Sequence, residues 1–265
     1  MVLKVGGELV ESAAAIQAMA RVIARAARMM RLVVVHGGGK DIDVALTQAT
    51  IPKHQVDGLR ITDQRTLDVV VAVLAGSINT RFVAEVNAVG GGAVGLTGAD
   101  AGVGFVRPAK PHRATNGEIV DLGLVGEPIP GAGSPLIDTL CRNGFVPVIA
   151  CVGAAKDGRL FNVNADTLAT SLAVRITAAR LVIAGGTAGV LDPESRTIAD
   201  LNAEAIDTLI GSGSVTAGMV AKLRAVRQAW EAGVAEIAIA DGRSPKLTAL
   251  VRGTAARRGP WTRLI

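Results

Sequence analysis

Two short glycine-rich segments, each shortly after an apolar run, are the residues of this chain best placed to do chemistry. One is Gly6-Gly7, which follows Val2-Leu3 and then Lys4-Val5, and the other is Gly37-Gly38-Gly39, which follows the run Leu32-Val33-Val34-Val35 and then His36. A strand that ends in glycines and leads into a helix can bring backbone N–H groups close to an anion, because no Cβ blocks the approach. Since Lys4 adds a positive charge beside the first loop, the two segments predict a site for phosphate chemistry.

Two further charged residues could act at such a site. Asp166 stands at the start of a predicted helix, and Lys222 falls in the first turns of a long helix around residues 219–231. Phosphoryl transfer needs two substrates held in line and positive groups around the oxygens of the moving phosphoryl group. Two lysines and backbone N–H groups can supply that charge, while an aspartate between the lysines can aim both. Taken singly, a strand lysine is also typical of a surface position, and Asp166 is also typical of a helix cap.

Several common motifs are absent from the sequence. Gly37-Gly38-Gly39-Lys40 lacks the spacing and the Ser or Thr of a P-loop. No G-x-G-x-x-G opens a helix after the first strand, no G-x-S-x-G is present, and neither H-R-D nor D-F-G occurs. These absences argue against a P-loop enzyme, a Rossmann dinucleotide site, an α/β-hydrolase and a protein kinase.

The elements that would position these residues alternate between strand and helix. Near-continuous Val/Leu runs separated by amphipathic helices predict an α/β protein with a mostly parallel sheet. Ser12 is a plausible N-cap for a first helix that places Ile16, Met19 and Ile23 on one face. Two separate helices are predicted at 63–75 and 79–89.

One segment interrupts this alternation. Residues 105–129 are turn-rich and alternate in polarity, with Asn116-Gly117 as a hairpin signal, which predicts a β-hairpin lid over the site. A soft boundary near residue 155 then divides the chain into an N-terminal half, 1–155, and a C-terminal half, 156–265.

The composition limits the function classes. The chain has 265 residues, 49% apolar, with a net charge of +5, which suits a globular α/β protein with anionic substrates or simply a basic surface. Aromatic residues make up only 2%, and the basic residues are dispersed, so nucleic-acid binding is not expected.

Cys141 and Cys151 have no metal-ligand pattern around them, and no protein metal site is expected. No apolar run approaches the roughly 20 residues of a membrane span and no export signal is visible, so we expect a soluble cytoplasmic protein.

The order of seven motifs resembles that of the amino acid kinase family, and most closely the branch that phosphorylates N-acetylglutamate. The matching segments are 4–7, 35–39, 58–63, 93–98, 144–149, 162–166 and 218–222. Gly-Leu-Arg-Ile-Thr-Asp at 58–63 and Asn-Val-Asn-Ala-Asp at 162–166 are the most specific of these. The resemblance implies a three-layer αβα sandwich on a mostly parallel central sheet. It also implies that the N-terminal half binds an acylated amino acid and the C-terminal half binds ATP.

The same resemblance implies an activity and a set of roles. ATP, with Mg²⁺ bound through its phosphates, would phosphorylate the side-chain carboxylate of N-acetyl-L-glutamate to N-acetyl-L-glutamyl 5-phosphate, a step of arginine biosynthesis. A homodimer is the expected assembly. The family roles, carried over by position, are catalysis by Lys4, Lys222 and Asp166, substrate binding by Gly38, Gly39, Arg60 and Asn162, and nucleotide binding by Gly6, Gly7, Gly186, Gly213 and Met219.

Departures from the family pattern leave alternatives open. Gly185-Gly186 stands where the family usually has Thr-Asp, so weak ATP binding with poor discrimination between ATP and GTP is expected. One alternative is a kinase for a related N-acetylated or carrier-linked aminoadipate or glutamate. Another is a catalytically silent regulatory subunit of the same fold, against which the retention of Lys4, Asp166 and Lys222 argues.

Overall fold

A central sheet of eight strands organises the molecule. The computed structural model describes residues 1–114, 117–256 and 258–265. The strands of the protein, of which eight form the central sheet, are in chain order β1 (Val2–Val5), β2 (Val33–His36), β3 (Gln55–Val56), β4 (Leu59–Arg60), β5 (Ala93–Thr97), β6 (Val106–Pro108), β7 (His112–Arg113), β8 (Ile119–Val120), β9 (Gly126–Pro128), β10 (Val146–Ala150), β11 (Val152–Ala154), β12 (Leu160–Asn162), β13 (Arg180–Gly185), β14 (Asp200–Leu201), β15 (Glu236–Asp241) and β16 (Trp261–Leu264).

The central sheet has the strand order β14-β16-β15-β13-β1-β2-β10-β5. Six of these strands, from β15 to β5, run parallel, while β16 pairs antiparallel with β15 and β14 pairs parallel with β16. The predicted mostly parallel sheet is therefore confirmed. The sheet is continuous across residue 155, because β1 from the first half pairs directly with β13 from the second. The division into two binding halves stays a prediction.

Helices cover both faces of this sheet. They are α1 (Ala13–Ala27), α2 (Gly39–Gln48), α3 (Gln64–Val71), α4 (Asn79–Ala88), α5 (Pro135–Arg142), α6 (Ala165–Arg175), α7 (Ala203–Gly211), α8 (Ala217–Glu231) and α9 (Leu247–Arg252). One layer groups α1 with α4 and α9, and the other groups α6 with α8. The predicted three-layer sandwich is confirmed.

Local sequence explains why several of these elements begin where they do. The strands β1, β2 and β10 are buried along their whole length, as expected for parallel strands covered on both faces. Ser12 caps α1 by accepting a hydrogen bond from the Ala15 N–H at 3.2 Å, and Ile16, Met19 and Ile23 are buried beneath it. The prediction for this first helix is therefore confirmed.

The prediction of two separate helices at 63–75 and 79–89 is wrong. A π-helical segment, Ala72–Ile78, joins α3 to α4 in one continuous helix. Neither a proline nor a capping residue interrupts the junction, and Ser77 donates its hydroxyl hydrogen to the Val73 carbonyl at 3.1 Å.

This joined helix also corrects the expectation about membrane-length segments. Among the described residues it is the one helix, Gln64–Ala88, that is long and apolar enough to cross a membrane by length and composition. The core helices of globular proteins meet the same two criteria. Here Val70, Ile78 and Phe82 are fully buried within the protein core.

The excursion at 105–129 is more elaborate than one hairpin. β6 pairs antiparallel with β9, and β7 pairs antiparallel with β8 further out. Asn116 of the predicted turn lies outside the described residues, whereas Gly117 has the positive φ of 88° that favours glycine. At its base the excursion bridges to the rest of the protein, because Gly123 pairs with Thr62 and Val125 with Asn162. Its action as a lid stays a prediction.

Candidate active site

The two glycine-rich loops that the sequence singled out lie side by side at the carboxyl edge of the sheet. They are neighbours because β1 and β2 pair in register, with Val5 opposite His36. A Cβ added to Gly7 would lie only 3.1 Å from the Gly39 nitrogen and 3.3 Å from the Gly38 Cα. A side chain at position 7 would crowd the second loop, so glycine there favours the close approach of the two loops.

Three charged side chains from distant parts of the sequence meet behind these loops. The Lys4 ammonium lies 2.9 Å from Asp166 Oδ1, and the Lys222 ammonium lies 3.4 Å from Asp166 Oδ2. Lys4 points from β1, Asp166 from the first turn of α6, and Lys222 from the second turn of α8. Asn164 fixes the start of α6, because its side-chain oxygen accepts hydrogen bonds from the Asp166 and Thr167 N–H groups.

Lys4 and Asp166 stabilise each other in their charged forms. Burial alone raises the pKa of Asp166, but the attraction of Lys4 and Lys222 outweighs burial and holds that pKa below its usual value. Burial alone lowers the pKa of Lys4, but attraction to Asp166 keeps it above its usual value. The carboxylate is therefore ionised and Lys4 charged at neutral pH, and Asp166 acts as a bridge that aims two ammonium groups.

The predicted substrate residues share one cavity. Gly38, Gly39, Arg60 and Asn162 all line a space of about 200 Å³. The Cys151 thiol also faces this space and donates to the His36 carbonyl at 3.0 Å. Burial raises the pKa of Cys151 to about 12, so the thiol stays protonated. Cys151 therefore acts as a small apolar wall residue, as expected from the sequence.

Arg60 has an unmet hydrogen-bonding requirement within this cavity. Its Nη2 donates to Asp43 Oδ1 at 2.5 Å and approaches the Gly39 carbonyl oxygen at 3.4 Å. Its Nη1 is buried and has no hydrogen-bond partner among the residues that the structure describes. An unpaired, buried guanidinium nitrogen is costly without an acceptor, and a carboxylate is the acceptor that suits it best. Asn162 is held nearby, because its Nδ2 donates to Thr62 Oγ1 at 3.2 Å.

The predicted nucleotide residues come together only in part. Gly6 is tied to β13, because its N–H donates to the Ala184 carbonyl at 2.8 Å, and Gly186 follows directly after that strand. Met219 lies in the first turn of α8, and Gly213 lies in the turn before it with a φ of 67°. No hydrogen bond within the described residues joins Gly213 to the Gly6–Gly7 or Gly186 loops.

Beside the cavity, the turn between β3 and β4 approaches the start of α8. A Cβ added to Gly58, in the turn between β3 and β4, would lie 3.8 Å from the Ala217 Cβ at the start of α8. The turn is also tied to the excursion, since His112 Nε2 lies 2.8 Å from Asp57 Oδ2. The Arg60 loop is therefore positioned by contacts on both sides.

Three residues near the site carried no signal strong enough to find them from sequence. Asp43 holds Arg60, Glu8 lies beside the Gly6 and Gly186 loops, and Arg243 donates to the Gly186 carbonyl at 2.6 Å. Each is a charged residue at a position that sequence pattern alone identifies as solvated surface. Only the spacing of Asp43, one helical turn after Gly39, could have suggested that it faces the same cavity.

Possible metal ligands near the site form no cluster of three or more among the described residues. No group of three or more His, Cys, Asp or Glu side chains that could hold a metal occurs within residues 1–114, 117–256 and 258–265. This arrangement fits a cation that arrives already bound to substrate phosphates, since Mg²⁺ is usually held by one or two carboxylates together with those phosphates.

Comparison with known proteins agrees with this geometry. The model of the amino acid kinase family matches residues 1–241. The chain is 37% identical to an acetylglutamate kinase of Stutzerimonas stutzeri (strain A1501) over 94% of this chain and 85% of that protein. It is 39% identical to an acetylglutamate kinase of Novosphingobium aromaticivorans over 87% of this chain and 79% of that protein. In fold it is similar to the smu.665 protein of Streptococcus mutans UA159, with a TM-score of 0.78 at 24% identity, over 91% of this chain and 94% of that one.

Proposed function

The chain belongs to the amino acid kinase family, and we propose that it is an acetylglutamate kinase. It transfers the terminal phosphoryl group of ATP to the side-chain carboxylate of N-acetyl-L-glutamate, a reaction of arginine biosynthesis. The observation that carries this proposal is the cavity in which a buried, unpartnered guanidinium nitrogen of Arg60 lies within one site with Gly38 and Gly39. The cavity thus offers a guanidinium donor that suits a carboxylate and glycine N–H groups that suit a phosphoryl group.

Arg60 would hold the acceptor by the carboxylate that does not react. Its Nη1 is free to donate, while Asp43 and the Gly39 carbonyl hold Nη2. This contact would fix the acceptor's orientation and leave the side-chain carboxylate directed towards the glycine loops. Asn162, at the end of β12, would give the acceptor a further polar contact.

The moving phosphoryl group would be stabilised by backbone and ammonium groups together. Gly38 is the N-cap of α2 and Gly39 its first residue, so unpaired N–H groups and the positive end of the helix dipole lie at the cavity. Lys4 and Lys222 would add positive charge where negative charge develops on the equatorial oxygens. Asp166 holds both ammonium groups and is not required to accept a proton.

The nucleotide's metal would contribute charge rather than structure. Mg²⁺ bound to the phosphates of ATP would neutralise the charge on the leaving group. The chain would bind the nucleotide along Gly6, Gly7 and Gly186, with Gly213 and Met219 at the start of α8. A homodimer, a cytoplasmic location and the absence of nucleic-acid and membrane partners stay predictions.

The ion-paired cluster supports an active kinase over a silent subunit. Lys4 is 5% exposed and Asp166 is 4% exposed, and a buried ion pair adds little net stability because desolvation offsets its attraction, so a functional role explains it better. A protein with only a regulatory function has no need for a second lysine on the same carboxylate.

A substrate panel tests the assignment. ADP release would be followed with N-acetyl-L-glutamate, N-acetyl-aminoadipate, free glutamate and free aspartate, and the acyl phosphate would be trapped as its hydroxamate. We expect the highest kcat/KM with N-acetyl-L-glutamate and hydroxamate formation only when ATP is present. A clear preference for the aminoadipate, or for a free amino acid, would contradict the assignment.

A further inference from the structure

Glu8 is an exposed charged residue beside the Gly6 and Gly186 loops that the proposed mechanism does not use. It lies in a 3₁₀ turn, Gly7–Leu9, directly after the loop that follows β1. A Cβ on Gly6 would lie 2.5 Å from Glu8 Oε2, and Cβ atoms on Gly185 and Gly186 would lie 3.3 and 3.4 Å from Glu8 Oε1. The carboxylate is therefore directed across both loops that the nucleotide is proposed to follow.

The same carboxylate shares its surroundings with the catalytic lysines. The Cβ position of Gly185 that lies near Glu8 Oε1 is also 3.9 Å from Lys222 Cε. Attraction to Glu8 is one of the smaller contributions that keep the pKa of Lys4 above its usual value, after burial and Asp166. Glu8 thus lies within electrostatic range of the groups proposed to bind phosphates.

Glu8 is nevertheless left without a direct partner. Within the described parts of the chain, no hydrogen bond and no ion pair within 4.0 Å engages its carboxylate. Its neighbour Glu11, by contrast, is paired with Lys40 at 3.1 Å. A solvent-accessible carboxylate that faces into the cleft can accept a ligand without first breaking a bond to the protein.

An unpaired carboxylate is unfavourable beside the phosphates of a nucleotide, because like charges repel. The unfavourable interaction is reversed when a divalent cation lies between them. Mg²⁺ prefers oxygen ligands and is commonly held by one or two protein carboxylates together with substrate phosphates. The Glu8 carboxylate therefore matches the ligand preference of Mg²⁺. The described residues offer this ion no cluster of three or more possible ligands.

We propose that Glu8 is the protein's ligand for the magnesium ion of the bound Mg–nucleotide complex, directly or through a coordinated water. The inference rests on the proposed kinase function, since it requires that a nucleotide bind along the Gly6 and Gly186 loops. It makes Glu8 a residue that selects the metal-bound over the metal-free nucleotide. Its effect is therefore specific to the metal, unlike that of a residue which only shapes the loop.

Calorimetric titration with the non-hydrolysable analogue AMPPNP tests this role without measuring turnover. The dissociation constant would be measured with excess Mg²⁺ and with EDTA for wild type, Glu8→Gln and the matched control Glu11→Gln. The ratio of the metal-free to the metal-bound constant should fall roughly 10- to 100-fold in Glu8→Gln, the range seen when a residue that supports a bound metal is lost. In that variant, metal-bound affinity should fall while metal-free affinity rises, because a repelling charge is removed.

The outcomes separate this inference from the proposed function. Glu11→Gln should keep the wild-type ratio, since its parent carboxylate is already paired with Lys40. An unchanged ratio in Glu8→Gln, with AMPPNP still bound, would overturn the role of Glu8 and leave the kinase assignment standing. If folded wild-type protein bound AMPPNP under neither condition, both would be rejected.

Discussion

The Arg60 guanidinium donates to the Asp43 carboxylate at 2.5 Å through Nη2, while its Nη1 is buried without a partner. Asp43 is itself anchored, because Lys53 Nζ lies 2.6 Å from its second oxygen, Oδ2. Burial raises the pKa of Asp43, but its hydrogen bonds from Lys53 and Arg60 hold that pKa below the usual value. The pair orients the arginine so that one side of the fork remains available for a substrate carboxylate.

This relationship predicts that substitutions at either residue affect the acceptor and not the nucleotide. Arg60→Lys keeps a positive charge but loses the planar fork, so KM for N-acetyl-L-glutamate should rise roughly 10- to 150-fold, the scale of a lost charged hydrogen bond. Asp43→Asn should raise the same KM by a smaller factor, because Arg60 stays in place but is less firmly held. Steady-state kinetics with each substrate varied in turn would measure both. Equal increases in the KM values for both substrates would contradict this assignment.

Lys4 and Lys222 should act mainly on the transition state. Lys4→Ala and Lys222→Ala should each lower kcat roughly 10²- to 10³-fold, the scale for one preorganised stabilising group, with much smaller changes in KM. Lys4→Ala also leaves the buried Asp166 carboxylate with only the 3.4 Å contact to Lys222, so this variant should be the less stable of the two. Kinetics combined with thermal unfolding would separate the effects. A normal kcat in folded protein would reject the role.

The adjacent Gly38 and Gly39 should respond differently to alanine. A Cβ on Gly38 would collide with Ile78 Cδ1 and lie 2.9 Å from Leu74 Cδ2, so Gly38→Ala should cost about 1–3 kcal/mol of stability through overpacking. A Cβ on Gly39 would meet no protein atom within 4 Å, so Gly39→Ala should fold with normal stability. Its methyl group would, however, enter the space proposed for the phosphoryl group and lower kcat/KM. Urea unfolding and kinetics on both variants would test this contrast, and full activity in Gly39→Ala would argue against phosphoryl binding there.

His36 should make the folded protein sensitive to acid. Burial lowers the pKa of His36 to about 4, even though its hydrogen bond to the Gly37 carbonyl acts in the opposite direction. The Asn79 amide lies 3.0 Å from His36 Nε2, which suits a neutral ring that accepts at that nitrogen. As pH falls from about 6.5 to about 4, the unfolded chain takes up a proton that the folded protein does not.

The free energy of unfolding should therefore fall by roughly 3 kcal/mol over that range because of this residue alone. Denaturant unfolding at several pH values would measure it, with His36→Gln as the comparison variant that lacks the titrating group. The two proteins should diverge in slope below about pH 6.5. Parallel pH profiles would show that His36 titrates normally.

Nucleotide selectivity should be weak because Gly185 and Gly186 present no side chain. A Cβ on Gly186 would lie 3.4 Å from Glu8 Oε1, so a carboxylate introduced there would stand beside Glu8. We expect wild type to bind Mg·ATP and Mg·GTP with dissociation constants within about tenfold of each other, a difference of no more than about 1.4 kcal/mol. Calorimetric titration of both nucleotides would check this. Strong selectivity for ATP would show that another residue, such as Arg243, recognises the base or sugar.

Local features of this protein could be predicted from its residue pattern. Apolar runs predicted β1 and β2, because parallel strands buried on both faces need near-continuous Val, Ile and Leu. The N-cap role of Ser12 and the close backbone approach at the glycines after β1 and β2 could likewise be predicted. Both depend on one or two residue types at fixed offsets. The order of the motifs then indicated the family, and with it the residues predicted to act in catalysis and in substrate binding.

How these parts meet depends on long-range packing and could not be predicted from local pattern. Lys4, Asp166 and Lys222 are separated by more than 50 residues in sequence, and pairing of β1 with β13 together with packing of α6 on α8 brings them within ion-pair distance. The partnership of Asp43 with Arg60 and the approach of Glu8 to Gly186 depend on where helices and turns pack, which no local pattern encodes. The strand β16, which pairs with β14 on one side and β15 on the other, and the joined helix Gln64–Ala88 were not predicted, because long-range packing determines whether such segments pair or continue.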